Sequence, residues 1–323
     1  MKILVTSDWH IHTYKDFPNR EENIFSAVED MFSYCNDNNI TAIYFGGDLV
    51  HANNNTPIKV TLNVLDLFER MFDKYPQINV FAISGNHGLG EKSILERANN
   101  LISWVRILSK RFPNNFICID MNCAYTSYTE QAEVYGIPYL EFKEDFDKAL
   151  TIQSECASKS GATFKTLLIH QTPDFPTINF PMDTNPNDPR YKVFDHVHCG
   201  HIHKRMPITE YFSLIGTPTQ LGFDEGGLQV DNGFLVYDTE TKKNTFHKLD
   251  YPKFVEVKEG EPHPPNCYVR ELPNYVPTVT TASREEFTEG NSKDAILVSY
   301  CKAQGIEDQA TIDVGLKILS KIN

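Results

Sequence analysis

Residues 2–10 read KILVTSDWH and residues 41–51 read TAIYFGGDLVH. Each is an apolar run of strand length that stops at an acid, Asp8 or Asp48, with a histidine, His10 or His51, just beyond it. A third run, INVFAISGNH (78–87), stops at Asn86 and His87. Short apolar runs closed by turn residues read as buried strands. The segments between and after them have helical spacing. ENIFSAVEDMFSYCNDN places Ile24, Val28, Met31, Phe32 and Cys35 on one face. PIKVTLNVLDLFERMF places Ile58, Leu62, Leu65, Phe68 and Phe72 together and starts on Pro57, a residue suited to a first helical turn. EKSILERANNLISWVRILSKRF reads as one long helix over about 91–111. This βαβαβα order predicts an α/β fold built on a parallel core sheet with helices on both faces.

Further along, FICID, CAYTS, AEVYGIPY and KTLLIHQ read as strands, and Glu141 to Lys159 as a helix. Residues 172–190 are rich in Pro, Asn and Asp and predict a loop. KVFDHVHCG and YFSLIG return to strand. From Phe223 the chain turns β-rich, with GFLVYDT, NTFHKL and FVEVKE. EPHPPN and LPNYVPTVTTAS then read as a linker, followed by helical patterns at about 292–303 and 308–322. The expected organisation is a main domain over 1–222, a small β-rich cap over 223–272, and a linker with a helical segment over 273–323.

The polar residues fall at the strand ends. Asp8, His10, Asp48, Asn86, His170, His201 and His203 all follow or close apolar runs, and in open α/β sheets ligands bind outside the carboxyl ends of the strands. Oxygen and imidazole donors without thiolate suit Mn, Fe, Zn or Mg. Seven groups exceed one tetrahedral ion and fit two ions that share a bridging carboxylate, the arrangement that activates water against a phosphoryl centre. Of the four histidines in DHVHCGHIHK (195–204), His201 and His203 follow the glycine and read as ligands. His196 and His198 lie inside the strand and read as buried. His12, His247 and His263 read as surface residues, and REEFTEG as a solvated acidic face. Thr217 and Gln220 in GTPTQ read either as substrate contacts or as a structural turn.

Composition narrows the function. With 41% hydrophobic and 23% charged residues the chain reads as globular. No apolar run reaches the length of a membrane span, and the N-terminal run is too short for a secretory signal, so an intracellular, cytoplasmic protein without a membrane partner is expected. The seven cysteines form no C-x-x-C pair and read as reduced thiols. A net charge of −13 repels nucleic acid at long range unless metal ions or a partner supply positive surface.

SDWH, GGDLVH, GNH, IHQ and GHIH, taken in order, resemble the five motifs of the calcineurin-like metallophosphoesterases, over residues 1–222. The resemblance implies a two-sheet β-sandwich flanked by helices. DWHIH, GGDLVH and IGTPTQLGFDE are most similar to the SbcD nucleases of the Mre-eleven family, including small phage versions, rather than to the superfamily's protein phosphatases. That likeness implies a DNA exonuclease and endonuclease with two divalent ions, usually Mn2+. It implies Asp8, His10 and His203 on one ion, Asn86, His170 and His201 on the other, and Asp48 bridging. It implies His87 as the catalytic histidine that assists the leaving oxygen, and His51 beside the scissile end. It also implies double-stranded DNA as substrate, in break processing, recombination and replication. A homodimer formed through a helical bundle is implied as well, with Trp104, Ile107 and Leu108 read either there or in the core. An SbcC (Rad-fifty-like) coiled-coil ATPase is implied at residues 284–323, which read otherwise as a tail packed on the chain's own β-section. One position departs from the pattern: Gly88 stands where the family has the Asp that orients the catalytic histidine. Two other readings remain beside this one, a small-molecule phosphodiesterase or phosphatase and a non-catalytic scaffold for the ATPase.

Overall fold

The computed structural model describes residues 1–14, 16, 17, 19–51, 56–89, 94–100, 102–127, 131–174 and 183–272. Two six-stranded sheets form the body. In the first, β1 (Lys2–Thr6), β2 (Ala42–Phe45), β3 (Asn79–Ala82) and β4 (Phe116–Cys118) run parallel. In the second, β6 (Ala132–Ile137), β7 (Phe164–His170) and β8 (His196–Gly200) run parallel, with β5 (Cys123–Ser127) antiparallel on β6. β9 (Met206–Thr209) and β10 (Phe212–Leu214) complete that sheet beyond β8. Among the described residues the α-helices are α1 (Arg20–Asp37), α2 (Ile58–Lys74), α3 (Trp104–Arg111) and α4 (Lys143–Lys159).

Successive strand residues face opposite sides. Leu4, Ile43, Phe45, Val80 and Ala82 join the cores of α1, α2 and α3. Ile3, Val5, Tyr44, Phe81 and Ile83 instead meet Ala132, Val134, Phe164 and Leu168 of the second sheet. One face of the first sheet is thus covered by helices and the other by a sheet. The simple βαβ reading, with helices on both faces, is corrected on that point, and the two-sheet sandwich flanked by helices is the fold.

Three local expectations change. The single helix over 91–111 is replaced, among the described residues, by a 3-10 turn at Leu95–Asn100 and by α3. Ser103 is extended and its hydroxyl accepts from Arg106 N, so it caps a fresh helix there. On α2 the buried face is Val60, Val64, Leu67, Phe68, Met71 and Phe72, while Ile58 is 79% exposed and Leu62 also faces out. The section expected as a separate cap is divided. β11 (Gly233–Asp238) pairs antiparallel with β1, and β12 (Lys243–Lys248) pairs with β11, so both extend the first sheet. The apolar run Phe234 to Tyr237 is buried, which requires cover on both faces. Only β13 (Lys253–Lys258) and β14 (Cys267–Leu272) form a sheet of their own. The helical segment expected in 273–323 lies outside the described residues.

Candidate metal centre

The turns after β1, β2 and β3 face those after β7 and β8 across the top of the sandwich. Asp8 N donates to Gly47 O at 2.9 Å and His10 N to Asp48 O at 3.0 Å, which locks the first two turns together. His201 N lies 3.2 Å from both Asp8 carboxylate oxygens and ties the second sheet to the first. Asp8, His10, Asp48 and His201 all have φ between 47° and 78°. Side chains rarely adopt this left-handed region, and its concentration at one place marks a site that the surrounding fold enforces. Gly47 turns with φ 109°, and a Cβ on Gly85 would run into the Asp48 carboxylate.

All nine sequence-predicted site residues come together here. Asp8, His10 and His203 have candidate ligand atoms within 4.8 Å of one another, and so do Asp48, His170 and His201. Asn86 Oδ1 joins the second group, 3.1 Å from His170 Nε2 and 3.1 Å from His201 Nδ1. Asp48 Oδ2 faces both groups, 3.2 Å from His170 Nε2 and 3.6 Å from His10 Nε2. His10 Nε2 is buried with no hydrogen-bond partner, 3.8 Å from Asp8 Oδ1. A buried imidazole nitrogen aimed between two carboxylates at these distances is what a cation between them requires. The donor set and the orphaned nitrogen fit two divalent ions.

Hydrogen bonds behind the site choose which nitrogen each imidazole presents. His170 Nδ1 donates to Gly46 O at 2.7 Å, leaving Nε2 toward Asp48 and Asn86. His203 Nδ1 meets Glu225 Oε1 at 2.7 Å. His87 Nδ1 lies 2.7 Å from His51 O, so a backbone carbonyl accepts its proton. The His51 ring stacks on His87 with centroids 5.2 Å apart, and its Nδ1 is 3.3 Å from His10 Nδ1.

The electrostatics follow from burial and opposite charge. Burial alone raises the Asp48 carboxyl, but His170 and His10 outweigh it and hold it well below the usual range. Asp8 is lowered in the same way, burial being overcome by His10, His170 and His203. Burial acts to lower His170, and Asp48 reverses this and brings it to about 9. His203 is raised because Glu225 and Asp8 outweigh its burial. His201 is pushed down to about 4, first by burial and then by His170.

The family model for calcineurin-like phosphoesterases matches residues 1–205. The chain belongs to the calcineurin-like phosphoesterase family. Among solved structures it is similar to a dimetal phosphatase from Danio rerio, at 10% identity and TM-score 0.47 over 73% of this chain and 91% of that one. It is also similar to GAP50, the anchor in the inner membrane complex of Plasmodium, at 12% identity and TM-score 0.43 over 77% and 88%. The family is dimetal-dependent, and the two carboxylate–imidazole groups here could each hold a metal ion. Membership makes the chain a metal-dependent phosphoester hydrolase. No described helix is long and apolar enough to cross a membrane.

Several residues around the centre carry no signal in the sequence. Glu225 was visible only as part of GFDE; nothing in the spacing pairs it with His203. His12, read as a surface imidazole, lies against His51 with ring centroids 5.4 Å apart. Tyr139 flanks the opposite side, 5.8 Å from the His201 ring. Thr217 and Gln220 are buried. Asn232 Nδ2 donates to Thr217 Oγ1 at 3.0 Å, and Gln220 Oε1 accepts from Phe254 N at 2.9 Å, contacts that favour the structural turn.

Proposed function

We propose that the chain is a Mn2+-dependent DNA nuclease of the SbcD type, hydrolysing phosphodiester bonds in break processing, recombination and replication. The observation that carries this reading is the placement of His87 and His51. The two stacked imidazoles flank a double carboxylate–imidazole centre on the side of His10. Asp8, His10 and His203 would hold one ion, Asn86, His170 and His201 the other, and Asp48 would face both. When bound, the pair of ions supplies Lewis acidity toward the phosphoryl oxygens and lowers the pKa of water. The chain's own groups do the orienting. Gly46 O and Glu225 fix the ring orientation of His170 and His203. His51 O holds the Nδ1 proton of His87, which leaves His87 Nε2 to hold or deliver a proton at the leaving oxygen. The ring of His51 lines the substrate end.

The partners belong to the same proposal. A homodimer would use the outer face of α2 and the start of α3, where Ile58 and Leu62 stand exposed beside Ile102, 65% exposed, and Ile107. Trp104 Nε1 donates to Thr56 Oγ1 at 3.3 Å and brings the starts of the two helices together. Trp104 and Leu108 themselves are buried, so of the residues considered for the dimer only Ile107 is available. β13–β14 would help place DNA, and residues 284–323 would bind an SbcC (Rad-fifty-like) coiled-coil ATPase in the bacterial cytoplasm, for a phage-encoded chain that of the host. The ATPase would contribute basic surface that a chain of net charge −13 lacks. That same charge favours a second reading, a phosphodiesterase or phosphatase acting on small esters.

The test is digestion of linear double-stranded DNA with Mn2+, wild type against His87→Ala, each alone and with the cognate ATPase. Digestion by wild type and its loss in the variant support the nuclease. Absence of DNA cleavage with rapid hydrolysis of bis(p-nitrophenyl) phosphate leaves the small-ester reading.

A further inference from the structure

Ser84 is the residue from which the Gly85–Asn86–His87 turn departs, and each of its polar atoms is engaged. Its N–H donates to Asp120 Oδ1 at 2.8 Å and its hydroxyl to Asp120 Oδ2 at 2.7 Å. Its carbonyl accepts from Tyr139 N at 2.8 Å. Ser103 Oγ lies 2.7 Å from Ser84 Oγ. Because the Ser84 proton goes to the carboxylate, Ser103 is the donor in that contact. Ser103 also caps α3, and Trp104 N donates to Gly88 O at 3.2 Å. The third-motif turn is therefore held at both ends, by Asp120 through Ser84 and by the start of α3.

Asp120 is completely buried. Its nearest cation is Arg106, whose Nε is 3.8 Å from Oδ2, too far for a hydrogen bond, and that Nε has no partner. Burial raises the Asp120 carboxyl against the opposing pull of Ser84 and Arg106. A buried carboxylate with an imperfectly placed cation destabilises a fold relative to a neutral group of the same shape. The cation is therefore not what favours an acid here. What the carboxylate holds is the backbone N–H and hydroxyl of Ser84, two residues before Asn86.

We propose that Asp120 is a positioning residue for the metal centre, fixing through Ser84 the turn that presents Asn86 and His87. The inference rests on the two-ion reading above. It places the effect of Asp120 on one ion, the one that Asn86 would hold, and on the orientation of His87.

The experiment titrates the metal-free full chain with Mn2+ by calorimetry. It compares wild type, Asp120→Asn, Ser84→Ala and, as the reference for the affected step, Asn86→Ala. Thermal midpoints and kcat and KM on bis(p-nitrophenyl) phosphate are recorded beside it. The expected result for Asp120→Asn is about a tenfold or greater loss of affinity at the step that Asn86→Ala abolishes, typical of groups behind metal ligands. The other step is unchanged, and kcat falls more than KM rises. A lowered midpoint with both binding steps and kcat unchanged makes Asp120 an ordinary core residue and overturns the proposal, as does no change at all. If the Asn variant does not fold, Ser84→Ala decides: a threefold or greater loss at the same step supports the role, and unchanged binding overturns it. A wild type that binds no Mn2+ overturns the metal centre and this role together, whereas a wild type that binds two ions with Asp120→Asn unaffected overturns the role alone.

Discussion

β8 and the turn that follows it hold two pairs of histidines with opposite fates. His196 and His198 lie within the strand and point between the sheets, where the Tyr237 ring packs on both at 5.0 and 5.3 Å. His196 Nε2 meets Ser213 Oγ at 2.9 Å, and His198 has no hydrogen-bond partner for either nitrogen. Among the described residues no carboxylate opposes their burial, which lowers His196 to about 4 and holds His198 well below its ordinary value. His201 and His203, past Gly200, face Asp8, Asp48, Asn86 and Glu225. The difference is not in the side chain but in what stands opposite it. An imidazole facing tyrosine and apolar groups is a neutral core residue, and one facing carboxylates at a strand end is placed to take a cation.

Substitutions on the two sides of Gly200 test the division. His201→Ala or His203→Ala should lower kcat/KM on a phosphodiester by on the order of 10³, about 4 kcal/mol, since each removes a ligand from the centre. The metal-free thermal midpoint should hardly move. His198→Ala should do the reverse, destabilising by about 2–4 kcal/mol in urea unfolding through a buried cavity while leaving Mn2+ affinity intact. Loss of metal binding in His198→Ala with unchanged stability would break the comparison.

Acid separates the pairs by another route. His196 is neutral in the fold down to about pH 4 but protonates near 6.5 when unfolded. Between those values the unfolded chain binds more protons, so stability falls as pH falls. The loss from His196 is complete below about pH 4 and amounts to about 3 kcal/mol. A His196→Asn variant, measured by urea unfolding of the metal-free protein from pH 7 to 4, should show a shallower decline. An unchanged slope would contradict neutral burial.

Smaller effects probe the supporting groups. Glu225→Gln should weaken Mn2+ binding by about 10–100-fold in calorimetry, because the partner orienting His203 loses its charge. His51→Ala should cost less than about tenfold in kcat, because the group that meets His87 Nδ1 is the His51 carbonyl, which survives the change. A loss as large as that of His87→Ala would assign the work to the ring.

Much of this was legible in the sequence because the ligands sit where the chain leaves a strand, and each such place is marked by an apolar run ending in a polar residue. Asp8, Asp48 and His170 are local signals of this kind. What escaped depends on closure between distant segments. Glu225 reaches His203 across 22 residues and Asp120 reaches Ser84 across 36, with no periodicity to announce either. The outer face of α2 misled for a different reason. Ile58 and Leu62 follow as regular a spacing as Val60, Val64 and Leu67, and only the position of the sheet decides between them, while Leu65 packs partly against the core. The break before α3 was hidden because apolar residues, Ile102 before and Trp104 and Val105 after, run straight across Ser103.

The decisive measurement is the number of Mn2+ ions bound per chain, counted by calorimetric titration of wild type, His201→Ala and His198→Ala. Two ions are expected for wild type, one tight ion for His201→Ala and two for His198→Ala. A wild type that binds fewer than two, or a His198→Ala protein that folds but loses an ion, would contradict the two-ion reading.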